Sequence, residues 1–213
     1  MNTTPSTPPD PIAAAAALGV GARITLSVMS DDYVRVITDA LTAVDSSDLE
    51  VDTDKVSTFV RGSEERIATY VRDLITAAAR AGHHLVATLM FSRGCPGEVC
   101  GVMPSLRPAT PDLAPTDLHV QAQWSLYPLL DPVDGADSPI ADHLAPVWAA
   151  IERSRERGTF VRGEHFATTL AGDLADVLTT VVDTWLAVGE AVPHVVTHVT
   201  ISANSPATSA GLR

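Results

Sequence analysis

The pattern of apolar and polar positions changes period near the start of the chain. Ile24, Leu26 and Val28 alternate with polar residues from Arg23 to Met29, which is typical of a strand with one buried face. Apolar residues then recur three and four positions apart from Tyr33 to Val44, and this spacing predicts an amphipathic helix. The first two predicted elements are therefore a strand and a helix.

The rest of the first half predicts two short strands, a second helix and a last strand. The short strands are expected at Leu49 to Val51 and at Val56 to Arg61. Ser63 to Glu65 is typical of a helix start, and the helix it opens is expected to end near Gly82. Leu85 to Phe91 predicts the last strand. The resulting order, β-α-β-β-α-β, is that of the ferredoxin-like unit, in which two helices cover one face of an antiparallel sheet.

The second half of the chain repeats the first. Three pairs of stretches match in order: Thr58–Gly62 with Thr159–Gly163, Arg23–Met29 with Gln123–Leu129, and Leu85–Pro96 with Val195–Pro206. The first pair is identical, TFVRG. The offset is near 100 residues for the first two pairs and 110 for the third, which predicts a nine-residue insertion, Glu164 to Gly172, after the second TFVRG. The duplication indicates two related units of small-domain size.

The predicted fold class is therefore α+β, with tandem ferredoxin-like repeats and antiparallel sheets. The expected divisions are a flexible arm at 1–20, repeat one at 21–97, a linker at 98–118, repeat two at 119–207 and a tail at 208–213. Ala141 to Arg155 and Asp173 to Val188 are expected to be the helices of repeat two. Each repeat would leave one sheet face uncovered, so apolar residues there need a partner sheet, a partner chain or a ligand. We therefore expect a homodimer.

Charge narrows the range of partners. The chain of 213 residues has a formal net charge of -12 and a pI near 4.8, so it offers no basic field to nucleic acid phosphates or anionic membranes. No window of about 20 residues is apolar enough to span a bilayer, and the first residues lack the basic region of a signal peptide. The sequence predicts a cytoplasmic protein with no nucleic acid partner and no direct membrane insertion.

Familiar catalytic patterns are absent from the sequence, which has no GxSxG elbow, no P-loop and no GxGxxG after a strand. No enzymatic activity, cofactor or metal site is expected. Cys95 and Cys100 lie five residues apart, where a loop-closing disulfide and two free thiols are alternatives. Free thiols are the favoured state in a reducing cytoplasm.

Matched residues at the strand ends are the remaining candidates for a binding site: Leu26 with Leu126, Thr58 with Thr159, and Ser92 with Ser202. Core packing accounts for an apolar residue at such a position. Core packing alone does not explain the threonines, because a hydroxyl in a central strand requires a hydrogen-bond partner. We therefore take Thr58 and Thr159 as candidate ligand contacts.

Six short stretches carry a resemblance to a known family: TLSVMSDDYVRVI, VSTFVRGSEE, FSRGCPG, QWSLYP, GTFVRGEH and TISANSP, in that order. They resemble the YkoF family of thiamine- and hydroxymethylpyrimidine-binding proteins, and the resemblance extends from Gly21 to Pro206. It implies a tandem pair of ferredoxin-like, ACT-like units, an intertwined homodimer and one pyrimidine-recognising site per repeat. It also implies a cytoplasmic binding protein that supports thiamine-precursor uptake or salvage and has no reaction of its own.

The resemblance also implies ligand contacts. These are Leu26 and Thr58 in the first site and Leu126 and Thr159 in the second, with Ser27, Tyr127, Ser92 and Ser202 as candidates for further pocket lining. An aminopyrimidine edge carries one donor and adjacent acceptors, which a threonine hydroxyl and a strand-end main-chain group can match. The first site departs from the family's Leu-Tyr-Pro because Ser27 stands where the second site has Tyr127. We therefore expect two unequal sites.

Two other classes of protein remain as alternatives. One is an ACT-like regulatory module that binds an amino acid, whose carboxylate would need a glycine-rich helix N-terminus, whereas the turns here are acidic or contain proline. The other is a small enzyme of the ferredoxin-like class, for which no pair of base and nucleophile is visible. We favour pyrimidine binding over both.

Overall fold

The computed structural model describes residues 10–99, 110–129, 144–190 and 192–209. Its first half contains α1 (Pro11–Ala17), β1 (Gly21–Val28), α2 (Tyr33–Ala43), β2 (Glu50–Thr53), β3 (Thr58–Arg61), α3 (Glu64–Ala79) and β4 (Leu85–Arg93). Its second half contains β5 (His119–Leu129), α4 (Ala145–Glu156), β6 (Phe160–Gly163), β7 (Thr168–Asp173), α5 (Leu174–Gly189), β8 (His194–Ala203) and α6 (Pro206–Ser209). The ferredoxin-like order β-α-β-β-α-β is therefore present twice, which confirms the prediction.

The described strands form one antiparallel sheet in the order β2-β3-β1-β4-β8-β5-β7-β6. Each repeat contributes four neighbouring strands in ferredoxin-like order, and the repeats join where β4 pairs with β8. We call this junction the seam. At the centre of this pairing Leu89 lies opposite Val199, which is its own counterpart in the other repeat. Each residue pair on one side of this centre has an equivalent pair at the same distance on the other side. The repeats are thus related by an approximate twofold axis through the seam and share one sheet.

Helices cover one face of the sheet, which we call the helix face, and the opposite face is the open face. On β4 the side chains of Leu85, Leu89 and Phe91 point to the helix face and are at most 1% exposed, whereas Met90 between them is 41% exposed. Helix α5 lies in the middle of the helix layer, where it contacts α3, α4 and β8. Its Trp185 is fully buried, with its ring 5.6 Å from the ring of Phe91 between centroids. The predicted period-two alternation therefore separates the core from the open face.

Part of the expected flexible arm is folded. The Asp10 carboxylate accepts a hydrogen bond from the Ile12 backbone N–H at 3.0 Å and caps α1, which contacts β3. Ala15 and Val20 are only 5% and 1% exposed. The prediction of a flexible arm is therefore wrong for residues 10–20, because this segment forms a capped helix and buries Ala15 and Val20 in the core.

Some predictions fall outside the described residues. These are the arm at 1–9, the linker at 100–109 with Cys100, the helix start at 141–143 and the tail at 210–213.

The two TFVRG stretches occupy different places in the sheet. Thr58–Arg61 forms β3, an inner strand between β2 and β1. Phe160–Gly163 forms β6, the outermost strand of repeat two, and Thr159 precedes it. Thr159 is therefore not the structural counterpart of Thr58. A short identical stretch of sequence determines how side chains alternate along a strand, but it does not determine which strand the stretch pairs with. The structural equivalence inferred from the two TFVRG stretches was wrong for this reason.

The register identifies the counterpart of Thr58. Thr58 lies opposite Ile24 on β1, and Thr168 lies opposite Trp124 on β5. Thr168 therefore corresponds to Thr58 at an offset of 110 residues, the same offset that relates the last strands. The predicted insertion at Glu164–Gly172 is wrong, because most of β7 lies within it. The extra residues of repeat two lie between β5 and β7.

Helices α3 and α5 begin with matched caps. The Ser63 hydroxyl accepts a hydrogen bond from the Arg66 backbone N–H at 3.3 Å, and the Asp173 carboxylate accepts one from the Ala175 backbone N–H at 2.8 Å. Asp173 also accepts hydrogen bonds from the backbone N–H and the hydroxyl of Thr116, at 3.2 and 3.0 Å. Burial acts to raise the pKa of Asp173, but these hydrogen bonds outweigh it and hold that pKa below its ordinary value of 3.8.

We expect Asp173→Ala to lower the free energy of unfolding by about 2 kcal/mol and Ser63→Ala by about 1 kcal/mol, because only Asp173 adds a charge and further hydrogen bonds. The charge contribution is complete above the ordinary pKa of 3.8 and is lost as the pH falls through the lowered pKa. The stability gap between wild type and Asp173→Ala should therefore narrow in acid, whereas the gap for Ser63→Ala should not. Urea unfolding at about pH 7 and about pH 3 measures both gaps. Equal pH dependence of the two variants would contradict the role of the charge.

Candidate functional site

A pocket of about 220 Å³ opens at the end of β5 in repeat two. It is enclosed by β5, α4 and the hairpin between β6 and β7, with these lining residues: Trp124, Ser125, Leu126, Tyr127, Val147, Ile151, Glu164, Phe166, Ala167 and Thr168. We call it the Leu126 pocket. Its wall combines apolar side chains with hydroxyl groups and one carboxylate. This combination suits a small planar ligand with a polar edge.

The Leu126 pocket lies where an inner strand stops. β7 begins at Thr168 opposite Trp124, so the edge of β5 beyond Trp124 has no strand partner among the described residues. On its other edge, β5 stays paired with β8 as far as Leu129. An unpaired strand edge presents main-chain N–H and C=O groups that need partners. The pocket therefore offers backbone donors and acceptors beside Leu126.

A buried hydrogen-bond chain fixes the back wall of the pocket. The indole N–H of Trp124 donates to the Thr197 hydroxyl at 2.7 Å, and that hydroxyl donates to the Ser125 carbonyl at 3.2 Å. Trp124 is 2% exposed and Thr197 is fully buried. These hydrogen bonds hold β5 in place where its pairing with β7 ends, so the back wall of the pocket is rigid.

Leu126 and Thr168 complete the wall, and they are 9% and 7% exposed. Within the part of the chain that the structure describes, the Thr168 hydroxyl makes no hydrogen bond. A ligand with a donor or an acceptor at its edge can therefore pair with this hydroxyl.

Thr159 does not line the Leu126 pocket. It is 2% exposed, and its hydroxyl lies 3.3 Å from the Ser154 carbonyl and 3.1 Å from the Thr180 hydroxyl. These contacts connect the start of β6 to α4 and α5. The structure places Thr168 where the sequence led us to expect Thr159. The constant offset of 110 residues is the sequence signal that could have identified it.

Repeat one has the same arrangement at the end of β1. β3 begins at Thr58 opposite Ile24, so the edge of β1 beyond Ile24 also lacks a strand partner in the described chain, and Leu26 lies on it. Thr58 is 6% exposed, and its hydroxyl lies 3.0 Å from the Thr53 hydroxyl. Ser27 is exposed. The structure thus brings Leu26 and Thr58 to one strand end, where the threonine already has a partner.

Ser92 and Ser202 lie on the open face beside the seam and do not line the Leu126 pocket. The Ser202 hydroxyl is 3.0 Å from Nε2 of His84, and the Ser92 hydroxyl is 3.4 Å from Nε2 of His194. The two contacts are equivalent across the twofold axis of the seam. These contacts join the two repeats, and Ser92 also lines a separate pocket of about 190 Å³ in repeat one, together with Arg23 and Phe59.

The sequence analysis missed several lining residues of the Leu126 pocket, among them Glu164, Phe166 and Ala167. They lie in the segment that was interpreted as an insertion. Phe166 is 98% exposed, and Tyr127, which also lines the pocket, is 49% exposed. The carboxylate of Glu164 pairs with Arg162, which lies two residues earlier on β6. The most exposed lining residues of the pocket are therefore aromatic.

Other kinds of site were sought in the described residues. No helix there combines the length and apolarity needed to cross a bilayer. No group of three or more His, Cys, Asp or Glu side chains is arranged there to hold a metal ion. Cys95 is a free thiol.

Comparison with known proteins gives two matches. The model of the family described as "YKOF-related Family" matches residues 19–98 and 119–208, which include both strand-end arrangements. A protein of Bacillus subtilis (strain 168) named "Putative HMP/thiamine-binding protein YkoF" is 32% identical over 190 residues, which cover 87% of this chain and 90% of that protein.

We expect Thr197→Val to lower the free energy of unfolding by about 1 to 3 kcal/mol, because it leaves the buried indole N–H of Trp124 without its acceptor. For a chain of this length, each kcal/mol corresponds to a melting shift of about 2 to 4 °C. Thr200→Val on the open face of the same strand is the matched control, and its effect should stay within about 0.5 kcal/mol. Thermal melting measures both variants, and an equal loss in the two would contradict the role of the Thr197 hydroxyl.

Proposed function

This chain belongs to the YkoF-related family, and we propose that it binds thiamine or its hydroxymethylpyrimidine precursor without catalysing a reaction. The single observation that carries the proposal is the Leu126 pocket. It joins an unpaired strand edge to a threonine hydroxyl within about 220 Å³. The name of the Bacillus subtilis relative supports the same class of ligand.

The chemistry of an aminopyrimidine suits this pocket. Its ring is flat, its exocyclic amine donates hydrogen bonds and its ring nitrogens accept them. The Thr168 hydroxyl can donate or accept, the Glu164 carboxylate can accept from the amine, and the edge of β5 can do both through the main chain. Leu126 and Trp124 supply an apolar wall for the ring. Thiamine carries the same aminopyrimidine, so one pocket can recognise both compounds.

Binding without chemical change suits a protein that supports the uptake or salvage of thiamine precursors. The proposed location is the cytoplasm, where a free thiol such as Cys95 stays reduced.

The two strand-end sites are proposed to differ in affinity. In repeat one a ligand would have to compete for the Thr58 hydroxyl with Thr53, which lies 3.0 Å from it. In repeat two the Thr168 hydroxyl is available to a ligand. We therefore assign the stronger binding to repeat two.

We expect Thr168→Val to abolish the stronger phase of hydroxymethylpyrimidine and thiamine binding, because it removes the hydroxyl that pairs with the pyrimidine edge. An unpaired group at the ligand costs about 1 to 3 kcal/mol, which is a loss of affinity of about 5- to 150-fold. Isothermal titration calorimetry measures this loss.

Thr159→Val is the control for Thr168→Val, because its hydroxyl faces α4 and α5. It should leave the affinity of the folded protein unchanged. If Thr159→Val abolishes the stronger phase and Thr168→Val does not, the assignment to Thr168 is wrong. If amino acids bind and neither pyrimidine does, the protein is a regulatory module instead.

We also propose that two copies of the chain form a homodimer through the open face. At the seam, the main-chain groups at the inner edges of both repeats pair with each other within one chain. The surface that remains for packing against a second sheet is therefore the open face, which has no helices. Met90 lies on this face beside the seam and is 41% exposed, with Val196 and Phe59 half-buried nearby. A second sheet would bury these apolar side chains.

Sedimentation at micromolar concentration is expected to give about twice the chain mass of 22.4 kDa. Met90→Glu should give a monomer, because a carboxylate on the open face would be buried in the dimer. Val34→Glu is the matched control, since Val34 is 58% exposed on α2 in the helix layer. A wild-type monomer, or a dimer that Met90→Glu leaves intact, would contradict the proposed interface.

A further inference from the structure

The tip of the hairpin between β6 and β7 presents an aromatic ring to solvent. Phe166 is 98% exposed, and its φ of 65° lies in the left-handed region, which is unfavourable for a bulky side chain. An isolated chain gains no burial from this ring. Its exposure therefore calls for a partner that covers it in the functional state.

The hairpin tip is held in place despite its exposure. The Ser125 hydroxyl donates to the Phe166 carbonyl at 2.9 Å, which ties the tip to β5. The Glu164 backbone N–H donates to the Ala167 carbonyl at 2.8 Å and closes the turn. The ring is therefore carried by a fixed backbone, and Phe166 is one of the residues that line the Leu126 pocket.

A second aromatic residue belongs to the same pocket. Tyr127 lines the Leu126 pocket and is 49% exposed, directly after Leu126 on β5. Tyr127 lies on β5 and Phe166 lies in the turn between β6 and β7, and both residues line the pocket. Two aromatic residues beside an apolar pocket with a few polar groups are suited to a flat ligand, because a planar ring can stack on one face while its edge is read by hydrogen bonds.

Repeat one lacks both rings. The counterpart of Tyr127 is Ser27, at an offset of 100 residues, and the counterpart of Phe166 is Val56, at an offset of 110. Val56 lies at the equivalent hairpin tip and is 75% exposed. Its backbone N–H donates to the Asp54 carboxylate at 2.7 Å. The strand-end arrangement is thus common to both repeats, and the pair of aromatic residues at these positions belongs to repeat two alone.

We propose that Phe166 and Tyr127 form an aromatic clamp that stacks on the ring of a planar heteroaromatic ligand in the Leu126 pocket and sets the higher affinity of repeat two. This inference rests on the proposed function, because it names the residues that select the same ligand. Phe166 is a specificity-determining residue, since its ring closes the pocket after Thr168 and the β5 edge have paired with the ligand edge. Binding buries the ring and so removes the exposure seen in the free chain.

The test is calorimetric titration of the full-length protein with hydroxymethylpyrimidine and with thiamine. Phe166→Leu keeps an apolar side chain but loses the ring, so it should weaken the stronger phase by about tenfold for both compounds. Phe166→Tyr keeps the ring and should stay within about threefold of wild type. Val161→Ala, at a half-exposed position on β6 that does not line the pocket, should leave both phases unchanged. All three variants should melt close to wild type, because the altered side chains contribute little to the core.

The outcomes separate this inference from the function on which it rests. If the wild type binds neither compound, the proposed function fails. If the wild type binds and Phe166→Leu is unchanged in affinity, the clamp is wrong and the function stands. If Phe166→Leu alters sedimentation but not the affinity, the ring is a contact between chains, which also overturns the clamp.

Discussion

The pairing of β4 with β8 is the interaction on which the rest of the molecule depends. It joins the two ferredoxin-like repeats into one sheet, and without it each repeat would expose a nine- or ten-residue edge strand with unpaired main-chain groups. The seam also fixes the directions of the strands in one repeat relative to those in the other. β1 and β5 run in opposite directions, because each is antiparallel to its own seam strand and the two seam strands are antiparallel to each other. The two strand-end sites therefore lie at opposite ends of the sheet and share no residues, so each can bind on its own.

Each site is a consequence of strand length within its repeat. β5 extends beyond the point where β7 begins at Thr168, and β1 extends in the same way beyond Thr58. A main chain that continues past its neighbour must pair with water, a side chain or a ligand. The ferredoxin-like unit thus creates a notch at the end of the sheet, and the residue at the start of the shorter strand supplies a side-chain hydroxyl beside it. Under the proposed function, these main-chain groups and this hydroxyl are what would recognise the polar edge of a small ligand.

Periodicity predicted the elements well, because alternation and helical spacing are local properties that burial enforces. The cap at Ser63 located the start of α3, and the helix expected from Asp173 is α5, which begins at the next residue. Which strands pair with each other is not a local property, and the prediction of equivalent strands in the two repeats failed for this reason. The identity of the two TFVRG stretches led to Thr159, although only register could distinguish an inner strand from an edge strand and so identify Thr168. The alanine-rich residues after Asp10 were read as an arm because composition does not reveal what they pack against.

The two copies of the unit can differ most where the core does not constrain them. Substitutions at buried positions such as Trp124 and Ile24 disturb packing and cost stability, whereas exposed positions usually change it by less than about 0.5 kcal/mol. Phe166 and Val56 are 98% and 75% exposed, so one hairpin tip can carry a ring and the other an aliphatic side chain at little cost to the fold. Affinity is more sensitive, since a single stacked ring changes it by about tenfold. A duplicated fold can therefore hold two sites of different strength while its sheet, its seam and its helix layer stay the same.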